Sequence, residues 1–288
     1  MKNIAFFCKT YINDIDSIDR LVSSFNAFNA DNIDLYLSVP ESDFDLFKQF
    51  EKFPNIKVIT DESYAKNYFV NSPIWNLKSG YINQEICKLA FAETQLCENY
   101  LCLDSDVQFI RNFYISDFMY NENTPYTVLV MDKELSSESY YKNFWKFRSE
   151  NIKKIYDFVG LDDRRYRSSH GMVIINSKVM KSFREDFMQP QDLTYKNLME
   201  ISPLEFTWYN VWFQKCKLVD EVTVEPFFKT FHSRIEYLIS RFKNNRLENY
   251  AKSYVGIVLN GNWKRKELKY KNPDLSNKFV YFLLRNVF

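Results

Sequence analysis

Apolar and polar positions in the first 110 residues follow two alternating periods. Short apolar runs predict buried strands, whereas apolar residues spaced three or four positions apart predict amphipathic helices. The predicted strands cover residues 4–8, 33–39, 56–59 and 100–103. The predicted helices cover residues 16–28, 42–53 and 81–97, with a polar and aromatic loop up to residue 79.

This order of strands and helices predicts an α/β fold. Helical connections between successive strands indicate right-handed β-α-β units and a mostly parallel central sheet flanked by helices. In such sheets ligands bind beyond the carboxyl ends of the strands. Three polar stretches fall at those ends, namely Lys9-Thr10, Asp61 and Asp104-Ser105-Asp106. We therefore expect the functional site along this edge.

The second half of the chain has a less regular pattern. Its predicted helices cover residues 137–159 and 202–216, and its predicted strands cover residues 126–131, 172–175 and 218–224. It contains no internal repeat and no low-complexity linker. We therefore expect one domain whose second half adds less regular strands and helices to the first half.

Composition and charge narrow the class of protein. With 46% hydrophobic and 26% charged residues, the chain has the balance of a globular protein, which argues against disorder. The net charge of +1 argues against a dedicated nucleic-acid binder, because such proteins carry a strong basic excess.

The cysteines and the N-terminal segment indicate in which cellular compartment the protein is expected. The five cysteines include no CxxC pair, which argues against a cysteine zinc site and for a reducing compartment. The N-terminus lacks the apolar region and cleavage site of a signal peptide, and no apolar run has the length of a membrane span. We expect a cytoplasmic protein.

The triplet Asp104-Ser105-Asp106 carries the clearest chemistry. Two carboxylates at i and i+2 beyond a buried strand can point to the same side of the chain. They repel each other, and Mn²⁺ or Mg²⁺ relieves that repulsion while sharing its remaining ligand positions with substrate phosphates. An isolated Asp-x-Asp is also common in turns and helix caps, so that alternative stays open. The position behind three strand-helix units favours a metal and diphosphate site.

Two segments resemble those of GT-A-fold glycosyltransferases. Residues 100–107, YLCLDSDV, are similar to the YLxLDSDV signature of that fold. Residues 80–89, GYINQEICKL, resemble the GWYxQQxxKL helix of a bacterial branch that serves surface polysaccharides. The resemblance covers roughly the first 110 residues well and the rest in patches. Tyr81 and Glu85 depart from it, because they replace a Trp and a Gln.

The resemblance implies a GT-A fold, a nucleotide-diphosphate sugar donor such as a UDP-sugar, and Mn²⁺ or Mg²⁺ as cofactor. The implied donor contacts are Thr10 and Asp61 near the nucleobase and ribose, Ser105 close to the ribose, and Gln84 with Lys88 on one helix face. Asp104 and Asp106 would hold the metal ion. The alternative for Lys88 is a solvated surface lysine, which is the default for that residue type.

Four residues of the second half are further candidates. The resemblance implies a third metal ligand at His232, for which the alternative is a histidine with a satisfied hydrogen bond, and an acceptor contact at His170. Glu205 lies in SPLEFTWY, similar to the family's SEYELY segment, and a carboxylate there can deprotonate an acceptor hydroxyl as an inverting transfer requires. The alternative for Glu205 is a favourable charge in the first turn of a helix. Asp132, beyond a predicted strand, is a second candidate base.

The resemblance also suggests a division of the chain. Residues 1–263 form the GT-A domain, with a nucleotide-binding half (1–110) and an acceptor-side half (111–263), and residues 264–288 form a basic, aromatic tail. The tail is compatible with contact to an anionic membrane surface, where a lipid-linked acceptor would sit, or with a helix packed on the domain. The expected partners are the sugar donor and a glycan or lipid-linked acceptor, with no nucleic acid.

Three other functions compete with this interpretation. A phosphatase of the haloacid dehalogenase type also has an apolar strand ending in Asp-x-Asp, but it expects Thr or Val where Gln108 stands, and its motif normally opens the domain. A nucleotidyltransferase favours a Gly-rich basic loop near the N-terminus, which is missing. A non-catalytic sugar-binding protein would bind its ligand without turnover.

Overall fold

The computed structural model describes residues 2–131, 142–169, 171–232, 234–242 and 247–259. The strands are β1 (Lys2–Lys9), β2 (Leu35–Val39), β3 (Ile56–Thr60), β4 (Cys97–Leu103), β5 (Val107–Phe109), β6 (Tyr126–Thr127), β7 (Ile174–Asn176), β8 (Val222–Thr223), β9 (Phe228–Phe231) and β10 (Gly256–Leu259). The helices are α1 (Ile15–Phe28), α2 (Phe44–Phe47), α3 (Glu62–Ala65), α4 (Ser79–Ala90), α5 (Lys142–Val159), α6 (Ser177–Ser182), α7 (Tyr195–Ile201), α8 (Glu205–Cys216), α9 (Arg234–Phe242) and α10 (Leu247–Tyr250).

A five-stranded sheet in the order β3-β2-β1-β4-β7 forms the centre of the fold. The first four strands along the chain are parallel to one another, and β7 runs antiparallel to β4. A three-stranded sheet, β5-β10-β9, follows the turn after β4, and β6 pairs with β8 in a two-stranded sheet. The α/β fold with a mostly parallel central sheet is therefore confirmed.

Strand β1 shows why the central strands are apolar on both faces. Ala5 and Phe7 face a core that includes α4 and α8, whereas Ile4, Phe6 and Cys8 face a second core that includes α1. Because helices cover both faces of a parallel sheet, its strands have no polar face. This explains the continuous apolar runs in the sequence.

Many of the phenylalanine rings pack together in the second of these cores, which includes α1. The Phe6 ring, fully buried, lies 5.0–5.9 Å from the ring centres of Phe25, Phe109, Phe113 and Phe118. Full burial of one phenylalanine contributes about 1.5–3 kcal/mol. The contacts join α1 to β5 and fix the segment that follows the Asp104-Ser105-Asp106 turn.

Several predicted boundaries are wrong. The helix predicted over 42–53 is α-helical only in α2, between two 3₁₀ turns at Glu41–Asp43 and Lys48–Lys52. The helix predicted over 81–97 ends at Ala90 and a 3₁₀ turn, because Gln95 adopts a left-handed conformation (φ 55°) and β4 begins at Cys97.

The second half differs more from its prediction. The strands predicted over 126–131 and 218–224 shrink to β6 and β8, because these two short strands pair only with each other. The strand predicted over 172–175 is displaced to β7, and the helices predicted over 137–159 and 202–216 correspond to α5 and α8. Strands β9 and β10 were not predicted.

Some predictions fall on parts of the chain outside the described residues. These are His170, Asp132 and the tail over 264–288. The division into residues 1–110 and 111–263 stays a prediction. None of the helices in the described ranges combines the length and the apolar character that crossing a bilayer requires.

Candidate functional site

The carboxyl ends of the parallel strands bring the predicted site residues to one edge of the sheet. Thr10 follows β1, Asp61 follows β3 and Asp104 follows β4. The Thr10 backbone N–H donates to the Ser38 carbonyl (2.9 Å), and the Asp61 N–H donates to the Val39 carbonyl (2.8 Å). Ladder hydrogen bonds thus fix the first two positions relative to β2.

Four buried or half-buried side chains at this edge form what we call the Lys9 network: Lys9, Ser38, Asp61 and Tyr64. Lys9 Nζ lies 2.9 Å from Asp61 Oδ2, and Ser38 Oγ donates to Asp61 Oδ1 at 2.6 Å. The hydroxyls of Ser38 and Tyr64 lie 2.8 Å apart. Because Ser38 has one hydroxyl hydrogen, Tyr64 is the donor of that second bond.

The Lys9 network engages both carboxylate oxygens of Asp61. Burial raises the pKa of Asp61, although the charge of Lys9 and the hydrogen bond from Ser38 oppose that shift. Thr10 differs, because its hydroxyl oxygen is buried and has no hydrogen-bond partner among the described residues. Of the two predicted nucleoside contacts, Thr10 therefore offers the polar atom that still needs a partner.

A second group lies at the end of β4, and we call it the carboxylate cluster: Glu85, Lys88, Asp104 and Glu205. Lys88 Nζ lies 3.0 Å from Glu205 Oε1, 3.4 Å from Asp104 Oδ1 and 3.4 Å from Glu85 Oε2. Helix α4 supplies Glu85 and Lys88, the β4 end supplies Asp104, and the first turn of α8 supplies Glu205. One ammonium group thus faces three carboxyl groups.

Lys88 is a buried residue, so the alternative of a solvated surface lysine is wrong. Its side chain is only 6% exposed, and Nζ lies 4.9 Å from the centre of the Phe206 ring. Burial alone would favour the neutral amine, but Asp104, Glu205 and Glu85 outweigh it and raise the pKa of Lys88. The ammonium ion is therefore the stable form, and its three N–H donors match three carboxyl partners.

Glu205 keeps its charge in this environment. Burial opposes ionisation, but the charge of Lys88 and hydrogen bonds from Glu85 and Lys88 lower the pKa of Glu205 below its ordinary value. Glu205 is thus a carboxylate at neutral pH. Lys88 contacts both Glu205 and Asp104. No sequence pattern predicted that Lys88, Asp104 and Glu205 would meet, although each of them was predicted as a site residue.

The Asp104-Ser105-Asp106 triplet forms a turn between two sheets. The Val107 N–H donates to the Asp104 carbonyl (3.3 Å), and the Leu259 N–H donates to the Asp106 carbonyl (3.1 Å). Ser105 Oγ donates to Asp14 Oδ2 at 3.1 Å. The turn and metal-site interpretations are therefore compatible, because the turn holds both aspartates at the sheet edge. The Asp104 side chain is 44% exposed and accessible to a ligand.

His232 directly follows β9, in which Phe231 pairs with Leu259 of β10. Since the Leu259 N–H also donates to the Asp106 carbonyl, β10 lies between His232 at the end of β9 and the Asp104-Ser105-Asp106 turn. In the described part of the chain, however, no three His, Cys, Asp or Glu side chains form a group that could hold a metal ion. Two carboxylates still fit Mg²⁺ or Mn²⁺ when substrate phosphates complete the coordination.

Three residues at this edge are not among the predicted site residues: Lys9, Asp14 and Glu85. The i, i+3 spacing of Glu85 and Lys88 was an available signal for one of these contacts. Gln84, one turn before Lys88 on α4, is half-buried.

Comparisons with known proteins agree with this fold. A model described as "Family of unknown function (DUF6492)" matches residues 4–229, and a search of curated proteins found no match. The apo structure of the bifunctional glycosyltransferase WbbM is similar, with a TM-score of 0.52 and 12% identity over 90% of this chain and 46% of that chain. The chain therefore spans less than half of WbbM.

Two further solved structures are similar. Apo mouse xyloside xylosyltransferase 1 has a TM-score of 0.48 and 10% identity over 90% of this chain and 99% of that chain. Apo GlyE of Streptococcus pneumoniae TIGR4 has a TM-score of 0.45 and 12% identity over 90% of this chain and 54% of that chain. The likeness to WbbM confirms the GT-A-type α/β fold.

Proposed function

We propose that this chain, which belongs to the DUF6492 family of unknown function, is a glycosyltransferase that uses a nucleotide-diphosphate sugar. The observation that carries the proposal is the sheet edge, where the accessible Asp104 carboxylate lies beside the buried Lys88–Glu205 ion pair. This edge combines groups that can bind a diphosphate with a carboxylate that can accept a proton from a hydroxyl group. The fold shared with WbbM, a glycosyltransferase, supports the proposal.

The donor in this proposal is a UDP-sugar that lies along the carboxyl ends of β1 to β4. The buried Thr10 hydroxyl, which has no partner among the described residues, binds the nucleoside, and the Lys9 network with Asp61 forms the surface beneath it. Ser105 lies close to the ribose. Gln84 and Lys88, on one face of α4, lie on the sugar side.

The diphosphate of the donor requires positive charge, and the proposal includes Mn²⁺ or Mg²⁺. Asp104 and Asp106 would hold this ion, with His232 as the third ligand from the chain. When bound, the ion neutralises the charge that develops on the diphosphate leaving group. The accessible Asp104 side chain fits this assignment.

The acceptor side of the proposal centres on Glu205. An acceptor hydroxyl must lose its proton when it attacks the sugar in an inverting transfer, and Glu205 takes that proton as general base. Lys88 keeps Glu205 ionised and holds it in place. His170 contacts the acceptor, a glycan or lipid-linked saccharide of bacterial surface polysaccharide synthesis. This substrate places the enzyme in the cytoplasm, at the inner face of the membrane, with the tail on the lipid surface.

The test is a binding and turnover assay with a panel of nucleotide sugars. We expect a UDP-sugar to bind in the presence of Mn²⁺ and to be slowly hydrolysed, with both effects reduced by chelation of the metal. Asp104→Asn should remove the metal dependence. Asp45→Asn is the matched control, because the Asp45 side chain is 95% exposed and lies outside the site.

The outcomes separate the alternatives. If no nucleotide diphosphate binds with or without metal, the proposal fails. Metal-independent binding without turnover would favour a non-catalytic sugar-binding protein. Release of inorganic phosphate from simple phosphate esters would favour the phosphatase, although its motif is expected on the first strand of the domain and Asp104 follows the fourth strand along this chain.

A further inference from the structure

The carboxylate cluster contains more negative than positive groups. Lys88 is the cation at its centre, and Glu85, Asp104 and Glu205 surround its Nζ at 3.0–3.4 Å. The side chains of Lys88, Glu85 and Glu205 are 6%, 3% and 11% exposed. Because an uncompensated charge is costly in such an interior, ionisation of both buried glutamates beside one cation is unfavourable.

The surroundings of the three groups indicate which one is protonated. Asp104 is 44% exposed, so water stabilises its charge. Glu205 receives the shortest contact from Lys88, at 3.0 Å. Glu85 is the most buried of the three, and its Oε2 and Glu205 Oε1 contact the same Lys88 ammonium group. Two buried carboxyl groups beside one cation are balanced when one of them carries a proton, which it can then donate to the other.

We propose that Glu85 is a positioning residue that works as a neutral carboxylic acid, whose O–H donates to the Glu205 carboxylate and fixes its orientation beside Lys88. A glutamine amide at this position would donate the same kind of hydrogen bond from an uncharged side chain of the same size.

Electrostatics around Glu85 agree with this geometry. Burial raises the pKa of Glu85 well above its ordinary value, the charges of Glu205 and Asp104 raise it further, and the charge of Lys88 lowers it. Two further titratable groups feel the charge of Glu85, which would raise the pKa of each: Tyr81, one turn earlier on α4, and Cys102 on β4. The role of Glu205 as base rests on the proposed function, whereas the proton on Glu85 does not.

The first experiment measures stability without any substrate. In the unfolded chain Glu85 ionises near its ordinary pKa of 4.5, whereas in the folded chain it keeps its proton to a higher pH. Between these two values the folded state binds one proton more, so wild-type stability falls as the pH rises. Glu85→Gln cannot titrate. We expect the Tm of Glu85→Gln minus that of the wild type to increase from about pH 5 to pH 8.

The matched control is Glu200→Gln on α7, where the side chain is 44% exposed. Its Tm difference from the wild type should stay constant over the same pH range. If the Tm difference of Glu85→Gln is also constant, or decreases with pH, Glu85 does not hold a proton in the folded state and the inference is overturned.

The second experiment measures sugar transfer by folded variants at neutral pH. We expect Glu85→Gln to keep a kcat close to that of the wild type, and Glu85→Ala to lose about 100-fold in kcat with little change in donor affinity, because Glu205 is then misplaced. An equal loss in both variants would overturn the positioning role. If the wild type itself transfers no sugar, the proposed function fails, and the stability experiment still decides whether Glu85 is protonated.

Discussion

Lys88 and Glu205 are 117 positions apart in the sequence, yet Lys88 Nζ donates a hydrogen bond of 3.0 Å to Glu205 Oε1 in the protein interior. The pair joins α4, which crosses one face of the central sheet, to the first turn of α8. It therefore couples the helix that precedes the Asp104 turn to the candidate base. Replacement of either residue should therefore alter the position or the ionisation of the other.

Removal of the Lys88 charge should destabilise the fold. In Lys88→Met the carboxyl groups of Glu85 and Glu205 stay buried without their cation, and breaking a buried ion pair in this way costs about 3–5 kcal/mol. Chemical denaturation should show that loss in the free energy of unfolding. Lys66→Met is the control, because Lys66 is exposed on the surface and its replacement should have little effect. Equal stabilities of the two variants would contradict the buried-pair assignment.

Replacement of the candidate base should separate rate from binding. We expect Glu205→Gln to reduce the transfer rate by about 10²–10⁴-fold, which is the usual contribution of a general base, while the donor Kd stays close to the wild-type value. Steady-state kinetics and calorimetry measure the two effects. A parallel loss of donor affinity would show that Glu205 binds the donor and does not act as base.

The pH dependence of the transfer rate should reflect the ionisation of Glu205. The pKa of Glu205 is lowered from its ordinary value, so the group is ionised at neutral pH and accepts a proton only in acid. We expect no loss of rate from this group as the pH falls from 8 to about 5. A rate that decreases through this range in the wild type, but not in a variant lacking Glu205, would contradict the assigned ionisation state.

The Lys9 network should contribute to stability through Ser38. In Ser38→Ala the buried Asp61 carboxylate loses a hydrogen bond of 2.6 Å and Tyr64 loses its acceptor. Hydrogen bonds to charged groups contribute about 1.5–3 kcal/mol, so a loss of this size is expected in the free energy of unfolding. Ser23→Ala on the exposed side of α1 is the control and should not destabilise. Similar values for both variants would show that the network is not a stabilising unit.

Two glycines should respond to the same substitution in opposite directions. A Cβ at Gly256 would lie 2.6 Å from the Gln108 carbonyl oxygen and 2.7 Å from the Phe228 ring, whereas a Cβ at Gly80 meets nothing within 4 Å. We expect Gly256→Ala to cost about 1–3 kcal/mol by overpacking, and Gly80→Ala, in helix α4, to stabilise by up to about 1 kcal/mol.

Thermal unfolding and donor titration measure these effects. Because β10 also supplies the Leu259 N–H to Asp106, donor affinity should fall in Gly256→Ala and not in Gly80→Ala. If Gly256→Ala unfolds at the wild-type temperature, the close packing of β10 between β5 and β9 is wrong.

Local patterns predicted the central half of the fold well. The four parallel strands and helices α1 and α4 have strong periods, and the predicted strand ends placed Thr10, Asp61 and Asp104 at one edge of the sheet, where the structure has them. The short strands β6 and β8 have only two residues each, too few for a period to distinguish them from loops. Strands β9 and β10 form a sheet together with β5, and β5 is distant from both of them in the sequence.

The site itself was predictable residue by residue but not as an arrangement. Sequence singled out Lys88, Asp104 and Glu205 separately, because each lies in a motif or at a helix start. Their convergence depends on how α8 packs against α4, and tertiary packing of this kind leaves no local signal in the chain. The protonation of Glu85 follows only from that convergence, since an isolated glutamate in a helix ionises normally.

The hydrogen bond from the Leu259 N–H to the Asp106 carbonyl has a consequence for protein synthesis. The ribosome makes β1 to β4 early, so the central sheet has most of its strands while the second half is still being translated. Strand β10 is made after β1 to β9, and until it leaves the ribosomal tunnel the Asp104-Ser105-Asp106 turn lacks this support. A nascent chain that stops before residue 259 would therefore carry all five strands of the central sheet with this turn still unsupported.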